Sequence, residues 1–149
     1  MADLVRFEII TGERVVYAAD VESVTLPGIE GELTVLPKHA PLLTMLKPGE
    51  LIVRREGEEV SMAVSGGFLE VMPDKVVVLA DTAERAEEID IARAEAARRR
   101  AEESLRQATT EEEIARARVA LQRALVRMRV AERRRRRERL PRPTAEPGE

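Results

Sequence analysis

The chain contains no cysteine, no tryptophan and one histidine, His39. Without cysteine there is no disulfide framework, no thiolate-ligated zinc or iron–sulfur centre, and no thiol nucleophile. A single histidine argues against a histidine metal cluster or a Ser/His/Asp triad. Phe7, Tyr17 and Phe68 are the only aromatic residues. No apolar run reaches the roughly 18–20 residues of a membrane span. The start, MADLVRFEII, lacks the basic opening, long apolar core and small-residue cleavage site of a secretory leader. These absences predict a soluble intracellular protein that inserts no segment into a membrane. There is also no GxxxxGK[ST] phosphate loop. Ser65-Gly66-Gly67 is not a nucleophile elbow, because the position two before Ser65 is Ala63. Carboxylates are plentiful but form no evident catalytic pair, so the sequence predicts no enzymatic site and no required cofactor.

What is present divides in two. The 149 residues amount to one average domain or two small modules. Residues 1–84 hold 7 Lys+Arg against 15 Asp+Glu, whereas residues 85–149 hold 18 basic residues, all of them Arg, against 13 Asp+Glu. The first part, 1–84, reads as β. Short runs rich in Val, Ile and Leu (Val5–Ile10, Arg14–Tyr17, Glu32–Leu36, Leu51–Arg55, Glu59–Val64, Phe68–Met72, Lys75–Ala80) are cut by Thr11-Gly12, Pro27-Gly28, Pro48-Gly49, Glu56-Gly57 and Pro73-Asp74. Many short strands with frequent turn signals indicate a sandwich or barrel. No helical stripe long enough for a parallel crossover interrupts them. A domain of that size is marginal alone, which points to a partner.

Residues 85–139 read as two helices. The first spans about Asp90 to Gln107, with a stripe of Ala94, Ala97, Ala101, Leu105 and Ala108 at steps of three and four. The second opens at Thr110, where Thr110-Glu111-Glu112-Glu113 fits a capping box. Its stripe is Ile114, Ala117, Leu121, Ala124, Met128 and Ala131. The short connection predicts an antiparallel hairpin. Its seam is mostly alanine, so the helices are intrinsically stable but weakly packed against each other. Residues 140–149 carry three prolines and no periodicity, and read as a disordered tail.

Three features are candidates for function. His39, between Pro37 and Pro41, reads as a loop or interface residue, since the sequence offers no further metal ligands. The run Arg133, Arg134, Arg135, Arg136, Arg137 is either a solvated helix end, favoured near a C-terminus, or an arm that seeks an acidic partner. Nucleic acid is disfavoured by the lack of aromatic stacking platforms and by the acidic first half. Arg93 and Arg100 share one helix face, and Arg123 and Arg127 another. In a hairpin turning near residue 108 these four guanidiniums could bracket a polyphosphate, because arginine matches phosphate oxygens in a bidentate way.

The stretch from Leu26-Pro27-Gly28 through Leu36-Pro37-Lys38-His39-Ala40-Pro41 to Thr44 strongly resembles the epsilon subunit family of bacterial F-type ATP synthases. So do Ser65-Gly66-Gly67-Phe68-Leu69-Glu70-Val71 and Val76–Thr82. The match in order and spacing runs over residues 3–138, with Glu32 standing where the family commonly has glycine. The resemblance implies a ten-stranded β-sandwich followed by an antiparallel two-helix hairpin. It implies a non-catalytic rotor subunit whose sandwich, residues 1–84, binds the gamma subunit and the c-subunit ring, peripherally at the cytoplasmic face of the bacterial membrane. The helices of 85–139 would regulate. Extended toward the catalytic alpha/beta hexamer they would restrain ATP hydrolysis, with Arg116, Arg118, Arg123, Arg127 and Arg133–Arg137 passing acidic segments of beta.

Ile89-Asp90-Ile91-Ala92-Arg93-Ala94 further resembles the (Ile/Leu)-Asp-x-x-Arg-Ala signature of epsilon subunits that bind ATP in the folded hairpin. The resemblance places Glu84, Ile89, Asp90, Arg93, Ala94, Arg100, Arg123 and Arg127 at nucleotide-contact positions, with ATP as a regulatory ligand. Asp90 is at the same time a candidate helix N-cap. The competing readings are a stand-alone nucleotide-sensing module and a basic adaptor. A free sensor would not co-purify with gamma, and an adaptor would bind nucleic acid with steep salt dependence.

Overall fold

A computed structural model describes residues 3–139. The predicted tail, 140–149, lies outside the described residues. Eight strands form one hydrogen-bonded sheet: β1 Val5–Ile10, β2 Val15–Val21, β3 Ser23–Gly28, β4 Gly31–Val35, β5 Leu42–Arg55, β6 Glu58–Val71, β7 Lys75–Ala80 and β8 Ala83–Arg85. The order is β2-β1-β7-β6-β5-β3-β4, with β8 also on β6, and every pairing is antiparallel except β1 with β7.

The sheet becomes a sandwich because its two longest strands serve both layers. The first part of β5 pairs with the last part of β6, and through it with β7, β1 and β2. The last part of β5 pairs with β3 and with the first part of β6, which carries β8. Counting each long strand once per layer reconciles the eight strands with the ten expected from the resemblance. The crossing points are Pro48-Gly49 on β5 and Gly66-Gly67 on β6. Gly66 and Gly67 have φ of +113° and +135°, and a Cβ on Gly67 would collide with the Leu79 carbonyl. The two layers enclose one core centred on Phe7, Ile9, Leu26, Leu51, Met62 and Leu69.

After β8 a 3₁₀ turn, Ala86–Glu88, leads to α1, Ile91–Gln107, and α2, Glu111–Arg139. The Asp90 side chain caps α1 by accepting the Arg93 N–H at 3.1 Å. Thr110 Oγ1 accepts the Glu113 N–H at 3.1 Å, and Glu113 returns a carboxylate to the N–H of Thr109 at 3.0 Å, one residue further back than a standard capping box. The helix seam buries Ala94, Ala101, Ala117 and Ala124. A second apolar face on α2, Val126 and Val130, packs with Ala131 on Ala63, Ala86 and Ile89, forming a small core separate from that of the sandwich.

Candidate functional site

The hairpin lies on the outer face of the layer made by the last part of β5, the first part of β6, and β8. Small side chains keep the contact open. Ala63 on β6, Ala97 on α1, and Ala120 and Ala124 on α2 line a cavity of about 330 Å³. Its polar groups are Ser65, Thr82, Glu84, Arg123 and Arg127, and the Ser65 and Thr82 hydroxyls bond to each other. Arg127 donates from Nε to Glu84 Oε2 at 2.7 Å, a half-buried pair joining α2 to β8. A second hollow of about 720 Å³ runs between the helices toward their turn, edged by Arg100, Ser104, Gln107, Glu113 and Arg116. The two hollows share Ala97 and Ala120 as walls.

The structure thus gathers Glu84, Arg123 and Arg127 around one cavity and puts Arg100 with Arg116 on its neighbour. Arg93 does not edge either hollow. Its side chain is 85% exposed and 3.8 Å from Asp90 Oδ2. Ile89 and Ala94 are buried, Ile89 beneath α2 and Ala94 in the helix seam. Arg118 is exposed. In the arginine run, Arg133 pairs with Glu50 of β5 and Arg137 with Glu59 of β6, while Arg134 meets Glu138 at 3.2 Å along its own helix. Arg135 and Arg136 are exposed. His39 is half-buried in an otherwise largely exposed loop before β5, its Nδ1 2.7 Å from the Ala40 carbonyl.

Residues 4–86 match the family model described as the beta-sandwich domain of the ATP synthase delta/epsilon chain, and residues 87–132 match that of its long alpha-helix domain. This chain belongs to the ATP synthase delta/epsilon family. The chain is 51% identical over 134 residues to the ATP synthase epsilon chain of Herpetosiphon aurantiacus, covering 90% of this chain and 98% of that one. It is 54% identical over 131 residues to the epsilon chain of Dehalococcoides mccartyi, covering 87% and 94%. A chain in the Euglena gracilis mitochondrial ATP synthase OSCP/F1/c-ring structure superposes with a TM-score of 0.71 at 26% identity, covering 80% of this chain and 76% of that one. A chain of the Tetrahymena thermophila central stalk and c-ring, 16% identical, shares the fold with a TM-score of 0.64, covering 85% and 96%. Within the delta/epsilon family the chain is an epsilon-type, non-catalytic subunit.

Two sets of site residues have no local sequence signal. Ser65 and Thr82 reach the cavity because β8 folds back onto β6. Glu50 and Glu59 meet arginines that lie 83 and 78 positions later. Charge complementarity between the two halves was the only hint of that pairing. The linker is also anchored. Arg85 donates twice to the Val16 carbonyl, at 2.8 and 3.1 Å, and stacks over Tyr17 at 5.3 Å. Arg14 bonds Glu88 at 2.9 Å. That hydrogen bond, with the attraction of the guanidinium, holds the Glu88 carboxyl below its usual range and raises Arg14. Among the described residues no acidic, His or Cys cluster could hold a metal, and no helix is long and apolar enough to cross a membrane.

Proposed function

We propose that the chain is a central-stalk rotor subunit of a proton-translocating F-type ATP synthase, at the cytoplasmic face of a bacterial membrane. It transmits torque between the c-subunit ring and gamma, and the catalytic sites lie on other subunits. The observation that carries this reading is an apolar row across five strands. Met45, Phe68, Leu79, Ile10 and Val15 are successive cross-strand partners on the outer face of the layer opposite the hairpin. Ile10 is half-buried and the other four are exposed. A contiguous apolar row of this kind is what a stable partner covers, and gamma is the partner. Leu43 lies beside the row on the same face, and the His39 loop leads into its strand, an edge suited to the c-ring.

The hairpin supplies regulation. Extended, α2 carries Arg116, Arg118, Arg123, Arg127 and Arg133–Arg137 to acidic segments of beta and restrains hydrolysis. Folded, it offers ATP the cavity of Glu84, Arg123 and Arg127 and the adjoining hollow of Arg100, with Arg93 closing from the first turn of α1. A ligand that binds only the folded hairpin, at ~100 times its dissociation constant, adds about 2.7 kcal/mol. That is roughly half of what turns a 1:99 population into 99:1, so ATP governs the switch where the two states already lie close. The alanine seam brings them close. Co-expression with gamma tests the reading. The full chain should co-elute with gamma, and Phe68→Glu with Leu79→Glu should abolish this while the sandwich stays folded. A chain that remains monomeric in the presence of gamma contradicts it.

A further inference from the structure

Both helices start from the turn at 108–110, but α1 has 17 residues and α2 has 29. The last twelve residues of α2 therefore run past the start of α1 by about 18 Å. Over this overhang α2 has left α1 behind and lies on the linker turn at Ala86 and Ile89 and on the sandwich. The second apolar core ends at Ala131, and every residue from Glu132 to Arg139 is charged. What joins this stretch to the sandwich is ionic. Arg133 pairs with Glu50, whose side chain is 10% exposed. One turn on, Arg137 pairs with Glu59 and lies 3.5 Å from Ser61 Oγ. Glu59 also accepts Arg54 Nε at 3.2 Å, so its two oxygens are shared between an arginine of its own layer and one of the helix. The second oxygen of Glu50 is buried without a partner. The closed contact therefore leaves one carboxylate oxygen unsatisfied, a cost that opening would remove.

We infer that the overhang of α2 is an ion-pair latch, closed by Arg133 on Glu50 and Arg137 on Glu59, whose strength is set by ionic strength and not by apolar packing. The inference deepens the proposed regulatory reading and rests on it for its biological use. An arginine turned onto Glu50 or Glu59 offers an acidic partner fewer of its five donors and a less open approach. Latch and reach compete for the same guanidiniums, and an acidic surface brought near the overhang opens the latch by exchange of partners. The screening length falls from about 10 Å at 0.1 M salt to about 3 Å at 1 M, so the Arg137–Glu59 pair, with both partners about one-third exposed, weakens with salt; the Arg133–Glu50 pair, with its buried carboxylate, weakens less, and the Val126–Val130 contact does not weaken.

The absence of cysteine allows two labels to be placed without competing sites. With spin labels at Glu58→Cys and Arg136→Cys in the full chain, a short distance should dominate at 50 mM salt. Its population should fall at least about two-fold at 1 M. In the Glu50→Gln, Glu59→Gln background the short-distance population should start low and stay independent of salt. Should the double variant fail to fold, Glu59→Gln alone, at a surface position, should halve the salt response. A parent distribution unchanged by salt, or a neutralised variant matching the parent, overturns the latch. The measurement uses the isolated chain, so its outcome is independent of gamma binding, which tests the wider reading.

Discussion

Arg127 and Glu84 meet at 2.7 Å across the boundary between α2 and β8, in the lining of the cavity that the helix pair leaves against the sandwich. The pair is half-buried and isolated from the large core. It should couple hairpin docking modestly, by about 1 kcal/mol in a double-mutant cycle of Arg127→Ala and Glu84→Ala read by amide exchange in α2. Additive effects of the two substitutions would show that the pair does not hold the hairpin.

ATP binding should depend on the same arginine. Calorimetry of the isolated chain should show one ATP site, weakened at least about ten-fold in Arg127→Ala by loss of a charge-assisted hydrogen bond worth roughly 1.5–3 kcal/mol. Arg93→Ala should also weaken it, because closing over the nucleotide brings that exposed side chain to the phosphates. If neither variant differs from the parent, the nucleotide role fails while the stalk role stands.

Removing the Asp90 cap should loosen α1 without disturbing the sandwich. Asp90→Ala costs about 1 kcal/mol, or roughly five-fold faster amide exchange, in the first turns of the helix. Exchange in β1 and β7 should not change. Uniform acceleration throughout the molecule would mean that the two parts unfold together.

The two apolar clusters should separate in the same way. Phe7, fully buried in the sandwich, should cost about 3–5 kcal/mol on Phe7→Ala and lower the main unfolding transition. Val130→Ala, in the small second core, should cost about 2 kcal/mol and release the hairpin while the sandwich melts as before.

Acid should free the linker before it unfolds the sandwich. Glu88 is held below its ordinary pKa by Arg14, so its contribution is complete above the unfolded value of about 4.3 and is lost as pH falls through the lower folded value. NMR titration of the Glu88 carboxyl should show the depressed midpoint. Glu88→Gln should remove the acid-dependent change in the Ala86–Glu88 turn, and Arg14→Ala should return the midpoint toward 4.3.

Much of this architecture was legible in the sequence where one signal acted alone. The caps at Asp90 and Thr110 and the alanine stripe placed both helices within a residue or two. The strands failed where signals competed. Pro27-Gly28 and Pro48-Gly49 read as turns, yet both lie inside strands, because the β3–β5 register breaks between Thr25 and Gly28 and accommodates them. β3 is buried along its whole length, so it shows no alternation. The second face of α2 was missed because Val126 and Val130 fall off the stripe that faces α1, and burial on β6 and the linker turn is a tertiary fact. For the candidate site, arginine spacing indicated a cluster, but helical periodicity could not say that Glu84 would meet Arg127 or that Arg93 would point to solvent.

The central claim is that one chain attaches through its sandwich and regulates through its hairpin. Its most direct test is ATP hydrolysis by the gamma and alpha/beta assembly reconstituted with the full chain or with a chain ending at Glu88, which retains β8. Equal incorporation of both, with faster hydrolysis in the assembly lacking the hairpin, is the predicted result. Loss of gamma binding on removing the hairpin, or identical hydrolysis rates in the two assemblies at low ATP, would contradict it.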